Sequence, residues 1–121
     1  MSQYNEGNGK GFVATAALAD GVAVKLSGSN VVVATAATDK IIGVTQGAVQ
    51  AGEVANVKLR SGAGTYKVKL GGTVAVGDAV TANGTGLLIT TTTAGNQVVG
   101  QAFEAGVSGD FIEAMTSTNV L

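Results

Sequence analysis

Cysteine, histidine, proline and tryptophan are all missing from this 121-residue chain. Without cysteine there is no disulfide and no thiol nucleophile. Without histidine, imidazole general bases, Ser-His-Asp triads and the usual zinc and copper sites are excluded. Aromatic residues make up 4% and charged residues 12%. The core therefore has to be built from Val, Ala, Leu and Ile, anchored by Phe12, Tyr66, Phe103 and Phe111. A formal charge of −1 and a pI near 5.1 give no basic footprint for nucleic acid. No apolar run approaches the roughly 18–20 residues of a helical membrane span. The first residues, Met1 to Gly9, have neither the basic start nor the apolar stretch of a signal peptide. The composition points to a soluble protein made in the cytoplasm, with no catalysis, cofactor or metal, and no membrane or nucleic-acid partner.

What is present is glycine and small apolar residues. Nineteen glycines, 45% hydrophobic residues and a mean hydropathy of +0.36 describe one folded domain and not a solvated tail. The apolar positions alternate. Val22, Val24 and Leu26 oppose Ala23, Lys25 and Ser27; Ala55, Val57 and Leu59 oppose Asn56, Lys58 and Arg60; Tyr66, Val68 and Leu70 oppose Thr65, Lys67 and Lys69. A period of two over short segments marks half-buried antiparallel strands. Turn chemistry separates them at Asp20-Gly21, Gly52-Glu53, Gly77-Asp78, Asn83-Gly84 and Gly109-Asp110. Eight to ten short strands so divided predict an all-β fold, a small single-domain antiparallel barrel, β-tulip or sandwich. The domain is expected over residues 12–116, after a flexible N-terminal arm (1–11) and before a short C-terminal tail (117–121).

The chain also echoes itself. Ile41-Ile42-Gly43, Ala48 and Ala51-Gly52-Glu53-Val54 align at one offset with Val98-Val99-Gly100, Ala105 and Ser108-Gly109-Asp110-Phe111. Gly77-Asp78-Ala79-Val80 is a third, shorter copy. Two similar β units around one core would produce this pattern.

The carboxylates are the only acid–base residues, but Glu53, Asp78 and Asp110 each follow a glycine and Asp20 precedes one, in turn signals where such side chains cap backbone groups. No pair is spaced for a catalytic cleft and no acidic string suits calcium. Gly7-Asn8-Gly9-Lys10-Gly11 lacks the strand, the Lys-Ser/Thr ending and the helix of a phosphate loop. Asn83-Gly84-Thr85 fits a glycosylation sequon, but Asn-Gly is first of all a tight hairpin turn. The basic residues form the remaining constellation. Lys58, Arg60, Lys67 and Lys69 flank Ser61-Gly62-Ala63-Gly64. A hairpin there would set Lys58 opposite Lys67 and Arg60 opposite Thr65, with all four cations on one face. That face would either meet an acidic partner or keep an exposed sheet soluble and unpaired.

The order Ala17-Leu18-Ala19-Asp20-Gly21-Val22-Ala23-Val24, Ile42-Gly43-Val44, Ala51-Gly52-Glu53-Val54-Ala55-Asn56-Val57, Val76-Gly77-Asp78-Ala79-Val80, Val99-Gly100-Gln101-Ala102 and Ser108-Gly109-Asp110-Phe111-Ile112-Glu113-Ala114 resembles the capsid cement, or head decoration, proteins of tailed bacteriophages. The resemblance covers roughly residues 14–115 and rests on turns and small-residue strands. It implies a structural virion protein on the outer surface of an expanded head. Such proteins bind as homotrimers at local threefold positions and clamp neighbouring copies of the major capsid protein. The matching motifs are turn and core positions, so no interface residue carries over. On physical grounds the arm, with Tyr4, Asn5, Lys10 and Phe12, and the cations Lys58, Arg60, Lys67 and Lys69 are the expected contacts. A carbohydrate-binding β-module and a tail or fibre component are the competing functions. The scarcity of aromatics weighs against the first, and the sequence separates the second from head cement poorly. An enzyme using only Asp, Glu, Ser, Thr, Lys or Tyr would have no recognisable site here.

Overall fold

A computed structural model describes residues 9–62 and 64–121. Tyr4 and Asn5, and most of the expected arm, lie outside these residues. Gly9, Lys10 and Gly11 belong to the first strand.

Ten strands follow one another: β1 (Gly9–Val13), β2 (Ala23–Ser27), β3 (Asn30–Val33), β4 (Ile41–Thr45), β5 (Val54–Leu59), β6 (Thr65–Lys69), β7 (Ala79–Ala82), β8 (Leu88–Thr90), β9 (Gly100–Ala102) and β10 (Phe111–Thr116). They form two five-stranded antiparallel sheets, ordered β1-β5-β4-β2-β3 and β6-β10-β9-β7-β8. The two orders are the same path walked twice, so the chain is a tandem of two like units, repeat 1 (β1–β5) and repeat 2 (β6–β10). The sequence echo maps β4 onto β9 and β5 onto β10. Each sheet curls until its first strand touches its third at a parallel bridge, Ala14 with Val31 and Leu70 with Leu88. Neither closes, and the result is sandwich-like and not a barrel.

The same turn starts three strands. In Gln50–Glu53, Ala75–Asp78 and Val107–Asp110 the last residue's N–H donates to the first residue's carbonyl at 3.0–3.2 Å. Its carboxylate accepts the first residue's N–H at 2.7, 2.9 and 3.0 Å respectively. The third position has φ between 86° and 92° in all three, which glycine alone takes without strain. Glu53, Asp78 and Asp110 are thus turn caps, as their sequence setting predicts. Asn83-Gly84 departs from expectation. The loop between β7 and β8 runs over residues 83–87, with its positive φ at Gly86, and the Asn83 side chain accepts N–H bonds from Thr85 and Leu87. A two-residue hairpin is not formed.

Core packing explains a second pair of glycines. A Cβ on Gly43 would overlap the Lys58 carbonyl, and one on Gly100 would lie 2.6 Å from that of Met115. Gly43 and Gly100 are equivalent, as are Lys58 and Met115, so close strand approach is a property of the unit. Val24, Val31, Ala55 and Val57 fill repeat 1, and Val68, Leu70, Val80, Leu88 and Ile112 fill repeat 2. Each buried valine, leucine or isoleucine among them contributes about 1.5–3 kcal/mol. Of the four expected aromatic anchors only Tyr66 is fully buried; Phe12 is half-buried, and Phe103 and Phe111 are exposed.

The expected hairpin between Arg60 and Thr65 is absent. β5 pairs with β1 and β4, and β6 pairs with β10, so the two strands lie in different sheets. Alternation identifies strands but not their partners. The C-terminal tail is also tied down. Val98 N–H donates to Asn119 O, Ser117 N–H to Val99 O and Leu121 N–H to Asn96 O.

Candidate functional site

Repeat 1 lends a face to repeat 2. Ala23, Ala34, Ile41 and Val44 leave their own core and join that of repeat 2, while Val24 and Ile42 pack on the core of repeat 1; a register shift between β2 and β4 at Val24/Lys25 lets Ile41 and Val44 share a face. Along this face lies the outer edge of β6. Lys69 N–H donates to Gly21 O at 2.9 Å, Gln46 Nε2 to Lys67 O at 3.1 Å, and Lys58 Nζ to Thr65 O. Lys67 Nζ pairs with Asp20 Oδ2 at 2.8 Å, while Asp20 Oδ1 accepts Gly47 N–H. The hydrogen bond from Lys67 holds the Asp20 carboxyl below its usual range.

The four cations therefore do not share a face. Arg60 is 7% exposed and spans the two repeats. Its guanidinium donates to the carbonyls of Ser117 (2.8 Å), Ile41 (3.3 Å), Val98 (2.8 Å) and Asn119 (2.9 Å), and to Gln97 Oε1 (2.7 Å). Burial lowers its pKa, yet a guanidinium stays charged at any ordinary pH. Arg60 is a structural clamp. Lys58 is turned into the seam between repeats. Lys67 and Lys69 remain at the surface, with their Nζ atoms 4.9 and 5.8 Å from the Phe111 ring centroid. Lys10 sits 5.8 Å from the Phe12 ring at the opposite edge of repeat 1. Burial pushes the Tyr66 hydroxyl far up, and it donates to Val99 O. Asp39 was not singled out by sequence. It accepts N–H bonds from Thr35 and Ala36 and pairs with Lys25, which together lower its pKa.

Two grooves open on repeat 2. One, of about 490 Å³, is lined by Ala79, Val98, Gln101, Met115 and the tail. The other, of about 390 Å³, lies beside Phe111, Lys67, Glu104 and Glu113. Glu113 already accepts from Thr65 Oγ1, and Glu104 from the Glu113 N–H. Among the described residues no three acidic side chains gather as metal ligands would. Among the same residues no helix is long and apolar enough to cross a membrane. Both units expose apolar side chains: Val13, Leu26 and Val54 on repeat 1, and Val76, Phe103 and Met115 on repeat 2.

Comparison with known proteins adds a likeness of fold. The head fiber gp8.5 N base of bacteriophage phi29 superposes with a TM-score of 0.73 at 19% identity, over 93% of this chain and 96% of that one. No protein-family profile and no curated protein sequence matches.

Proposed function

We propose that the chain is a structural protein of a phage head, a cement or decoration protein on the outer surface of the expanded capsid. It would bind there as a homotrimer and hold neighbouring major capsid subunits together. The supporting observation is the fold shared with a head fiber base over nearly the whole of both chains. The physical reading agrees. The fold offers exposed apolar side chains and edge strands, the role needs no chemistry, and several weak contacts on one oligomer add through avidity. Contacts are expected from the segment ahead of β1, including Tyr4 and Asn5, and from Lys10, Phe12, Lys67 and Lys69. Arg60 leaves that set because it is buried, and Lys58 because its Nζ is turned into the seam and donates to Thr65 O.

The test is co-sedimentation of the purified chain with expanded heads stripped of decoration, with unexpanded heads as control. Saturable binding to expanded heads alone is expected; binding to neither form rejects the reading. Deleting residues 2–8 keeps β1 and should weaken binding without unfolding the domain. The neighbour is the base of a head fiber, which favours a second reading, a fibre base on the same head surface. A chain that binds heads without making them more resistant to heat would support it.

A further inference from the structure

The tandem is built head to tail, which leaves one seam unmade at each end. Two units related by a twofold axis would use the same surface on both sides. Here repeat 1 contributes Gly21, Ala23, Val44 and Lys58, and repeat 2 answers with the outer edge of β6. The equivalent of the first surface on repeat 2 is Gly77, Ala79, Gln101 and Met115, four of the residues lining the 490 Å³ groove. The equivalent of β6 is β1. Backbone bonds confirm the correspondence. Gly21 N–H donates to Thr45 O and Thr45 N–H to Val22 O; in the same way Gly77 N–H donates to Ala102 O and Ala102 N–H to Asp78 O.

Each surface shows what the missing neighbour leaves uncovered. Val44 is fully buried, whereas its counterpart Gln101 is exposed and spends its side-chain amide on Gly77 O at 3.2 Å. Gly77 O corresponds to Gly21 O, the acceptor of the Lys69 N–H. At the other end, Ala82 is 1% exposed, while its counterpart Leu26 is 49% exposed. Val54, the counterpart of Phe111 on Gly21, is 64% exposed. β1 is an edge strand. Among the described residues, the bond that Lys69 N–H makes to Gly21 O has no counterpart at Val13.

We infer that the groove floored by Ala79, Val98, Gln101 and Met115 receives the β1 edge of a second copy of this chain, as the face of repeat 1 receives β6. The Val13 N–H takes the Gly77 carbonyl in place of the Gln101 side chain, and Val54 covers Gly77. The contact is heterologous, which makes a ring when the rotation closes, as a homotrimer requires; in that ring the seam inside each chain alternates with the same seam between chains. This assigns a surface to the homotrimer proposed above and rests on that reading only for the number three.

The experiment needs no heads, so its failure and a failure of head binding are separate results. The mass of the wild-type chain is measured by light scattering on a sizing column at about 100 μM, where an oligomer is expected. Ala79→Arg fills the groove and Val13→Pro removes the donating N–H at an edge position, where proline is tolerated. Each should run at the monomer mass with an unchanged circular dichroism spectrum. Val54→Asp replaces Val13→Pro should that variant misfold. Mixed together, a groove variant and an edge variant keep one intact surface each and should form a two-chain complex. A monomeric wild type, variants that keep the oligomer, or a mixture that stays monomeric overturns the inference.

Discussion

Repeat 1 and repeat 2 follow one strand order, yet they are buried differently. β4 is buried along nearly its whole length, while β9, its counterpart, alternates between buried and exposed. The difference lies in what each unit packs against: β4 has a second unit on its far face and β9 has none among the described residues. One backbone unit therefore tolerates two hydrophobic patterns, and neighbours decide which pattern a strand shows.

The largest break in this comparison is expected at Arg60, whose counterpart is Ser117. Arg60→Ala strands five acceptors at the seam and should lower stability by about 4 kcal/mol, while Ser117→Ala stays within about 0.5 kcal/mol. Urea unfolding of the two variants measures both, and equal losses would remove the clamp. Next comes Leu70, which occupies in repeat 2 the buried place that Ala14 holds in repeat 1. Leu70→Ala should cost about 3 kcal/mol by cavity formation. A loss below about 1 kcal/mol would mean that repeat 2 collapses onto the gap.

Glycine pairs sharpen the likeness between the units. Gly43→Ala and Gly100→Ala should each destabilise by about 2 kcal/mol, because the added methyl meets a strand carbonyl, with Gly43 the more sensitive. Thermal melts that left either variant at the wild-type midpoint would show that the strands can move apart. The smallest effect belongs to the Asp20–Lys67 pair, which only the inner seam has, since Val76 and Gly11 stand at the equivalent places. The pKa of Asp20 is depressed, so its contribution is present above the ordinary carboxylate value of 3.8 and is lost as pH falls through the lowered one. Asp20→Asn should be less stable than wild type at pH 7 by a few tenths of a kcal/mol, given solvent screening. The gap should close in acid and shrink in added salt. A gap independent of pH would remove the Asp20 charge from the account.

Much of this fold was legible in the sequence for physical reasons. Alternation is local, so Val22 to Ser27, Ala55 to Leu59 and Thr65 to Lys69 were readable as strands. The Gly-acid turns are closed within four residues and were equally plain. Partner choice is not local. Nothing in Lys58 to Lys69 states that the chain changes sheets there, and a glycine-containing link between alternating segments looks the same whether it closes a hairpin or crosses over. Arg60 shows the same limit from the other side. A cation in an alternating pattern reads as outward, and only the facing carbonyls of Ile41, Val98, Ser117 and Asn119 turn it inward. The echo between residues 41–54 and 98–111 was visible, but the like strand order and the head-to-tail arrangement needed coordinates.

Two identical subunits cannot differ at matching places; two repeats on one polypeptide can. Arginine at 60 and serine at 117 are such a difference, and so are Asp20 against Val76 and Lys67 against Gly11. Joining the units in a single chain releases each from the sequence of the other, so the seam within the chain can gain a charged clamp while the outer seam keeps small and neutral groups. Mutation can then tighten one joint and leave the other loose enough to come apart.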